Sequence, residues 1–262
     1  MKKMEVRLLE KSKDGMQISF LVRGISPAFA NAVRRAVLEE VPALAIEKVE
    51  FRKNNSILYD EVIAHRLGLI PLKTNLKGYS LPEECKCKGE GCARCQAKFT
   101  LKSKAAGNVL ASEMKPTDKD VVPVYGDMPI TKLMKGQSLE FEAAAVLGKG
   151  KIHAKWCPGH IYYYNESKIT VNNGDKLLKK FKEKYPSKIF DKDGKIDRNL
   201  INTPALVDAC DGISKLIEIE KKDDSFIFVL ESWGQLKPEI IVKEAVNQIN
   251  SQFDEINGLM KK

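Results

Sequence analysis

The stretch between Asn31 and Leu72, NAVRRAVLEEVPALAIEKVEFRKNNSILYDEVIAHRLGLIPL, constrains the fold of this chain more than any other part of the sequence. It joins an amphipathic helix that carries paired arginines to a second ordered block that ends at Pro71. Ser26 and Pro27 supply a cap and a first-turn proline for the helix. Apolar residues at i, i+3, i+4, i+7 and i+8 predict one buried stripe, formed by Phe29, Ala32, Val33, Ala36 and Val37.

Length and composition predict a folded protein with two or three modules, because 262 residues with 43% apolar content can bury a substantial core. No apolar run has the 18 or more residues of a membrane span, and the N-terminus lacks an apolar signal core. We therefore expect a cytoplasmic protein with no membrane partner. The net charge of +9 suggests proximity to nucleic acid or acidic protein surfaces, although a solvated basic surface explains it equally simply.

Four cysteines within eleven residues form the strongest chemical signal, the pattern C-x-C-x4-C-x2-C of Cys85, Cys87, Cys92 and Cys95. This spacing predicts one structural Zn²⁺ per chain, since zinc prefers four thiolates at tetrahedral angles and a cytosolic chain rarely forms disulfides. An iron-sulfur site and free or disulfide-bonded cysteines are the alternatives. Cys157 and Cys210 stand alone in the sequence, and we expect Cys157 to be a buried apolar residue.

The last element is predicted to be a helix that opens at Pro238. Its apolar residues recur at alternating spacings of four and three, which is a heptad pattern. From spacing alone, this seam packs either on a partner subunit or on the helix that begins at Pro27. The seam consists of Val242, Val246, Ile249, Phe253, Ile256 and Met260.

The remaining segments predict local structure and no catalytic site. A hairpin is expected between Met4 and Arg23, and two strands are expected around a turn at 221–225. A helical stripe is expected at Leu177, Leu178 and Phe181. The run Gly148-Lys149-Gly150-Lys151 lacks the frame of a phosphate loop, and the Asp191 to Gly194 segment lacks the ligands of an EF-hand. His65, His153 and His160 are scattered, so no catalytic residues are predicted.

Three blocks of this sequence resemble the alpha-like subunits of cellular RNA polymerase. They are residues 31–72, LGKGKIHAKWCPG at 147–159 and FIFVLESWGQLKPEIIVKEAVNQIN at 226–250, in the family's order. The resemblance is greatest to the archaeal D-type subunits, which are counterparts of the third-largest subunit of eukaryotic RNA polymerase II and of bacterial alpha.

The resemblance implies an α+β fold in which a discontinuous dimerisation domain is interrupted by insertions. By this plan, residues 1–44 and 221–262 form the dimerisation domain, with the heptad helix in its second part. Residues 45–171 form an inserted, mostly β domain with the cysteine loop at 85–95. Residues 172–220 take the place of a ferredoxin-like insertion, and since they contain only Cys210, no iron-sulfur cluster is expected.

The resemblance also implies the function of a non-catalytic assembly platform in DNA-directed RNA polymerase, a nucleotidyltransferase complex that carries out transcription. The expected partners are a small alpha-like subunit, which forms a heterodimer through the heptad seam, and the large catalytic subunits, which meet Arg34 and Arg35. Nucleic acid is expected to contact the chain only indirectly, through the complex. The alternative is a free-standing zinc-binding module that binds nucleic acid through its basic loop, and a ferredoxin-like redox protein ranks third.

Overall fold

The computed structural model describes residues 3–261, with the side chains of residues 175–177 left out. The predicted α+β class is confirmed, because antiparallel strands alternate with five α-helices in the described residues. The helices are α1 Pro27–Glu39, α2 Asp60–Gly68, α3 Asp175–Phe181, α4 Pro204–Cys210 and α5 Pro238–Met260. The strands are β1 Glu5–Lys11, β2 Gln17–Arg23, β3 Pro42–Asn54, β4 Gln96–Ser103, β5 Gly107–Leu110, β6 Lys115–Pro116, β7 Pro129–Leu133, β8 Leu139–Lys149, β9 Gly159–Val171 and β10 Ile217–Ser232.

Three sheets organise the strands. One four-stranded sheet has the order β1-β2-β10-β9, a second has the order β3-β8-β4-β6, and β5 pairs with β7. The predicted N-terminal hairpin is confirmed, since β1 and β2 are neighbours and Gly15 occupies its turn with a φ of 71°. The predicted cap is also present, because the backbone N–H of Phe29 donates to Oγ of Ser26 over 3.2 Å.

The chain forms two compact units, each built from segments that are distant in sequence. One unit comprises Met1–Leu9, Ser19–Ala30 and Tyr162–Val229, and the other comprises Glu10–Ile18, Asn31–Ile161 and Leu230–Lys262. The boundaries that we predicted for the dimerisation domain and its insertions remain predictions. The predicted limit at 220/221 falls within β10.

In the unit that contains residues 31–161, α2 packs on the sheet of β3, β8 and β4. Ile63 and Leu67, four residues apart on α2, are completely buried against a core that also contains Phe99 and Phe141. Burying each of these two aliphatic side chains contributes about 1.5 to 3 kcal/mol. The second block of residues 31–72 therefore contains a helix, α2, whose inner face is buried. Four apolar residues of the same block, Ile57, Tyr59, Val62 and Leu69, remain exposed.

In the unit that contains residues 162–229, an aromatic cluster supports the sheet. The rings of Phe20 and Phe228 stack with centroids 5.1 Å apart, and Tyr163 contacts Phe226 edge-on at 5.5 Å. Glu166 accepts two hydrogen bonds from Arg23 and one from Lys222, over 2.7 to 3.0 Å. These hydrogen bonds, from Arg23 first, lower the pKa of Glu166 to about 2.

The segment 172–220 is folded around its own small core in this unit. Tyr185, Ile189, Ile196, Ile201 and Cys210 are buried there. Leu178 and Phe181 pack against this core, as the helical stripe predicts, whereas the side chain of Leu177 lies outside the described residues. Leu206 and Ile213 also pack against it. The segment from Asp191 to Gly194 forms a turn, with Gly194 at a φ of 74°.

Two predictions about secondary structure and packing are wrong. The segment from Ile217 to Ser232 is one continuous strand, so the expected turn at 221–225 does not form. On α1, Phe29 and Ala32 are exposed instead of buried, and Ala30 takes the inner position beside Val33, Ala36 and Val37. The buried stripe of α1 is therefore narrower than its apolar sequence pattern.

Glycines allow the end of β8 and the connection to β9 to pack closely against their neighbours, including the last turn of α1. A Cβ atom at Gly150 would lie 1.9 Å from the carbonyl oxygen of Leu38, and one at Gly148 would lie 2.4 Å from the ring of Trp156. The backbone N–H of Lys151 also donates to the carbonyl oxygen of Glu39 over 3.0 Å, which satisfies one of the free carbonyls at the helix end. Gly148 and Gly150 therefore allow Trp156 and the last turn of α1 to pack closely against this part of the backbone.

We predict that Gly150→Ala lowers the free energy of unfolding by about 1 to 3 kcal/mol, because its methyl group meets a backbone carbonyl that has no alternative rotamer. Gly258→Ala is the control, since Gly258 lies in α5 with no atom within 4 Å of an added Cβ. The control should leave stability unchanged or raise it by up to about 1 kcal/mol. Chemical denaturation measures both, and equal midpoints for Gly150→Ala and the unsubstituted chain would contradict the prediction.

Candidate functional site

The four cysteines that the sequence singled out converge in space. The Sγ atom of Cys87 lies 3.5 Å from Sγ of both Cys85 and Cys95, and Sγ of Cys92 lies 3.5 Å from Cys85 and 3.8 Å from Cys95. All four sulfurs lie within 4.8 Å of one another. An ion bound at about 2.3 Å by four thiolates requires sulfur–sulfur distances of about 3.8 Å, so this group fits a tetrahedral metal ion.

Local backbone geometry brings these sulfurs together. The N–H of Lys88 donates to the carbonyl oxygen of Cys85 over 2.8 Å, so Cys85 and Cys87 lie in one tight turn. The N–H of Cys95 donates to the carbonyl oxygen of Cys92 over 3.0 Å, so these two cysteines are the ends of another. Lys88 and Gly89 have φ values of 53° and 85°. Gly91 has a φ of 98°, and a Cβ there would lie 2.6 Å from the side chain of Gln96.

The cysteines of this chain differ in their burial and in the pKa values of their thiols. A hydrogen bond from the backbone N–H of Gly91, followed by the neighbouring thiols, lowers the pKa of Cys87 to about 6. Burial raises the pKa of Cys95 to about 12. Cys210 is buried in the core of the 172–220 segment. Cys157, which we expected to be buried, is only partly buried and donates from Sγ to the carbonyl oxygen of Gly159 over 3.0 Å.

The heptad seam of α5 is largely open to solvent. Val242 and Ile249 are partly buried, whereas Val246, Phe253, Ile256 and Met260 are 42% to 81% exposed. Every residue from Ser251 to Lys261 is exposed, although α5, which has about six turns in all, continues through Met260. The buried residues of α5 are Pro238, Ile241 and Ala245, all in its N-terminal part.

Arg34 and Arg35 both lie on the part of α1 that the buried stripe leaves free. Nε and one terminal nitrogen of Arg34 donate to Oδ1 of Asn31 over 3.1 and 3.0 Å. Arg35 forms an ion pair with Glu39, one turn along the helix, over 3.0 Å, and its side chain is 59% exposed. The guanidinium group of Arg35 is thus held in place by one carboxylate while its outer edge faces solvent.

A polar junction that the sequence analysis missed links three elements of the same unit. Nζ of Lys149, the last residue of β8, lies 3.1 Å from Oε2 of Glu40 and donates to Oε1 of Gln248 on α5 over 3.1 Å. Only 25% of the Lys149 side chain and 15% of the Glu40 side chain are exposed. The only available sequence signal was the pair of glycines around Lys149, which indicates close backbone packing.

The remaining His, Asp and Glu side chains of the described residues do not gather into a second metal-binding group. Among the described residues, the cysteine loop is the one group of three or more His, Cys, Asp or Glu side chains close enough to hold a metal. Nδ1 of His153 accepts from the backbone N–H of Lys155 over 3.0 Å, which is a structural role. None of the described helices is both long and apolar enough to span a membrane.

Comparison with known proteins extends these observations to the whole chain. Residues 49–158 match the family described as RNA polymerase Rpb3/RpoA insert domain. The chain is 37% identical to DNA-directed RNA polymerase subunit Rpo3 of Pyrococcus horikoshii and 34% identical to that of Archaeoglobus fulgidus, and each alignment covers 98% of both chains. It is also 34% identical to DNA-directed RNA polymerase II subunit rpb3 of Dictyostelium discoideum, over 98% of this chain and 94% of that protein.

Proposed function

The chain belongs to the Rpo3/Rpb3 family of DNA-directed RNA polymerase subunits, and we propose that it is an archaeal D-type alpha-like subunit, a non-catalytic assembly platform of the polymerase. The observation that carries this proposal is the similarity over 98% of the chain to proteins that are themselves polymerase subunits. The chain acts in the cytoplasm on this proposal, where the polymerase meets DNA. Nucleotide transfer then belongs to other subunits of the complex.

The partner of α5 is, on this proposal, the small alpha-like subunit of the polymerase. Phe253, Ile256 and Met260 are 60%, 53% and 81% exposed on one side of the helix, and a contiguous apolar stripe of this kind marks an interaction site. Burying the four exposed seam residues, Val246, Phe253, Ile256 and Met260, contributes on the order of 6 to 12 kcal/mol. This gain is comparable with the roughly 4 to 15 kcal/mol that association costs, so the seam supplies much of the free energy that a heterodimer requires.

The large catalytic subunits are proposed to dock on α1. Arg35 offers a guanidinium group whose orientation is set by Glu39, so less side-chain entropy is lost when a carboxylate of a partner binds it. Arg34 contributes in the same way, although its bond to Asn31 leaves fewer of its donors free.

The cysteine loop is proposed to bind one structural Zn²⁺. Four sulfur donors with no oxygen or nitrogen donor among them favour zinc, and a site with four protein ligands leaves no position for a catalytic water. The ion would hold together a loop in which Cys85 and Cys95 are the buried residues between positions 83 and 95. The site stabilises the inserted domain and supplies no step of catalysis.

The alternative function, a free-standing zinc-binding module, accounts for residues 85–95 alone. It leaves the exposed seam of α5 and the match of the whole chain to polymerase subunits unexplained. The redox alternative is weaker still, because the 172–220 segment contains a single cysteine, Cys210, which is buried in an apolar core, whereas an iron-sulfur cluster there would require three or four neighbouring thiolates.

We predict that Phe253→Glu or Ile249→Glu abolishes the heterodimer with the small alpha-like subunit, because a carboxylate in the middle of the seam would have to be desolvated. Ser251→Glu is the matched control, since Ser251 is exposed on the opposite side of α5. Co-purification and analytical ultracentrifugation measure dimer formation. If the unsubstituted chain were a thermally stable, monodisperse monomer with no affinity for the small subunit, the proposed assembly function would be refuted.

We predict that Arg35→Ala preserves the heterodimer and weakens recruitment of the large catalytic subunits about tenfold or more, because a charge-assisted interface contact is lost. Glu39→Ala separates this role from the ion pair within α1. If the Arg35–Glu39 ion pair only stabilised α1, Arg35→Ala and Glu39→Ala would have the same effect, a loss of a few tenths of a kcal/mol of helix stability. Stepwise reconstitution, scored at the dimer and at the next assembly stage, distinguishes these results, and loss at the dimer stage would contradict the assignment.

We predict one zinc ion per chain by elemental analysis of protein purified without chelator. Cys92→Ser should lower the zinc content to near zero and disorder the loop, because thiolate sites bind zinc with about 10 to 16 kcal/mol in isolated peptides. Dimerisation should persist. Cys157→Ser, which removes a thiol outside the loop, should keep the metal. Finding four titratable thiols and no metal in the loop would show that the geometry forms without an ion.

A further inference from the structure

The described part of the segment 172–220 carries a cluster of lysines that lack acidic partners. Its members, which we call the cationic patch, are Lys179, Lys180, Lys182, Lys184 and Lys188, and all five are exposed. No carboxylate oxygen of a described residue pairs with any of these five ammonium groups. Nearby in the same unit, Lys221 pairs with Asp208 over 2.9 Å and Lys222 pairs with Glu166 over 3.0 Å. Other described lysines of the segment, such as Lys192 and Lys195, also lack an ion-pair partner, so the patch is distinguished by its density of five lysines within ten residues.

One carboxylate, that of Glu183, lies within the patch, where it is exposed and forms no ion pair with the five lysines. The carboxylates that follow the patch serve the local fold. Oδ1 of Asp191 accepts from the backbone N–H groups of Asp193 and Lys195 over 2.9 and 2.8 Å, which fixes the turn that follows the patch. Oδ1 of Asp197 accepts from the N–H of Asn199 over 2.9 Å in the same way. Five lysines against one glutamate leave residues 179–188 with a net charge of +4.

Aromatic side chains hold the patch in a defined geometry. Nζ of Lys180 and Nζ of Lys184 each lie 5.5 Å from the ring centroid of Phe181, so the two ammonium groups are at most 11 Å apart. Nζ of Lys182 lies 5.3 Å from the ring of Phe190. Beneath these rings, Tyr185 and Ile189 are buried. The lysines thus project from a folded support, and five like charges are kept close together with Glu183 as the one acidic residue among them.

We propose that the cationic patch binds the phosphate backbone of duplex DNA without reading its sequence. Lysine ammonium groups are compact donors suited to phosphate oxygens, and duplex DNA presents one charge per about 1.7 Å of its axis, so several phosphates meet a patch of this width. Phe181 and Phe190 are partly buried and are covered by ammonium groups, which leaves them unable to stack on unpaired bases. A duplex therefore fits better than a single strand.

This contact goes beyond the assembly function and replaces our expectation that nucleic acid meets the chain only through other subunits. In an assembled polymerase, it would add a sequence-independent hold on DNA at a site that carries no catalytic group. Its geometry does not involve α1, α5 or the cysteine loop. The two proposals can consequently fail separately.

Fluorescence anisotropy of a labelled 30-base-pair duplex, titrated with the full chain in its heterodimer at several salt concentrations, tests the proposal. The patch variant carries Lys180→Gln, Lys182→Gln, Lys184→Gln and Lys188→Gln. The control removes the same charge from exposed lysines elsewhere, with Lys48→Gln, Lys77→Gln, Lys132→Gln and Lys135→Gln. The patch variant should bind at least tenfold more weakly and its salt slope should fall by about 3, whereas the control should stay within twofold.

Three results would overturn the proposal. Equal weakening in both variants would mean that net charge alone attracts DNA. Tighter binding of single-stranded RNA of the same length would assign the patch to the transcript. Patch-dependent binding of a polyglutamate peptide without patch-dependent binding of DNA would assign it to an acidic protein. Both variants should form the heterodimer normally, so a failure of assembly would be recognised separately from a failure to bind DNA.

Discussion

The close contact between the β8–β9 connection and the last turn of α1 is the constraint on which much of the larger unit depends. Gly150 allows the carbonyl oxygen of Leu38 to approach a distance that no side chain permits, and Lys149 then reaches both Glu40 and Gln248. Residues of α1, β8 and α5 meet at this one junction. The helix that carries the paired arginines and the helix that carries the heptad seam thus have a common anchor, which suits the proposed role of the two helices as docking surfaces for different partners.

The parts of the site that could be predicted from sequence are those whose signals are local. Four thiols within eleven residues can meet only by folding the intervening backbone, so the spacing of Cys85 to Cys95 was sufficient to predict the cluster. The start of α1 was equally clear, because Ser26 and Pro27 act within one helical turn. The seam of α5 could be recognised, but its exposure depends on what the rest of the chain covers, which spacing alone does not reveal.

The errors arose where distant segments decide the outcome. The polar run at 221–225 has the composition of a turn, yet it continues as strand because neighbouring strands on both sides supply hydrogen-bond partners to β10. Phe29 belongs to the apolar pattern of α1 but lies outside its buried stripe, which is set by what packs against the helix. The junction at Lys149 was invisible for the same reason, since its partners are 109 and 99 residues away in sequence.

The solvent-exposed C-terminal part of α5 has a consequence for the amount of this subunit in the cell. From Ser251 onward every residue of this helix meets water, so a copy without a partner displays apolar surface that an assembled copy would conceal. Chaperones and proteases act on such surfaces, and steady-state abundance follows how often a chain presents them. A chain made in excess of its proposed partner therefore exposes the surface that leads to its degradation. In this way the exposed part of α5 would help to keep the two subunits in equal amounts.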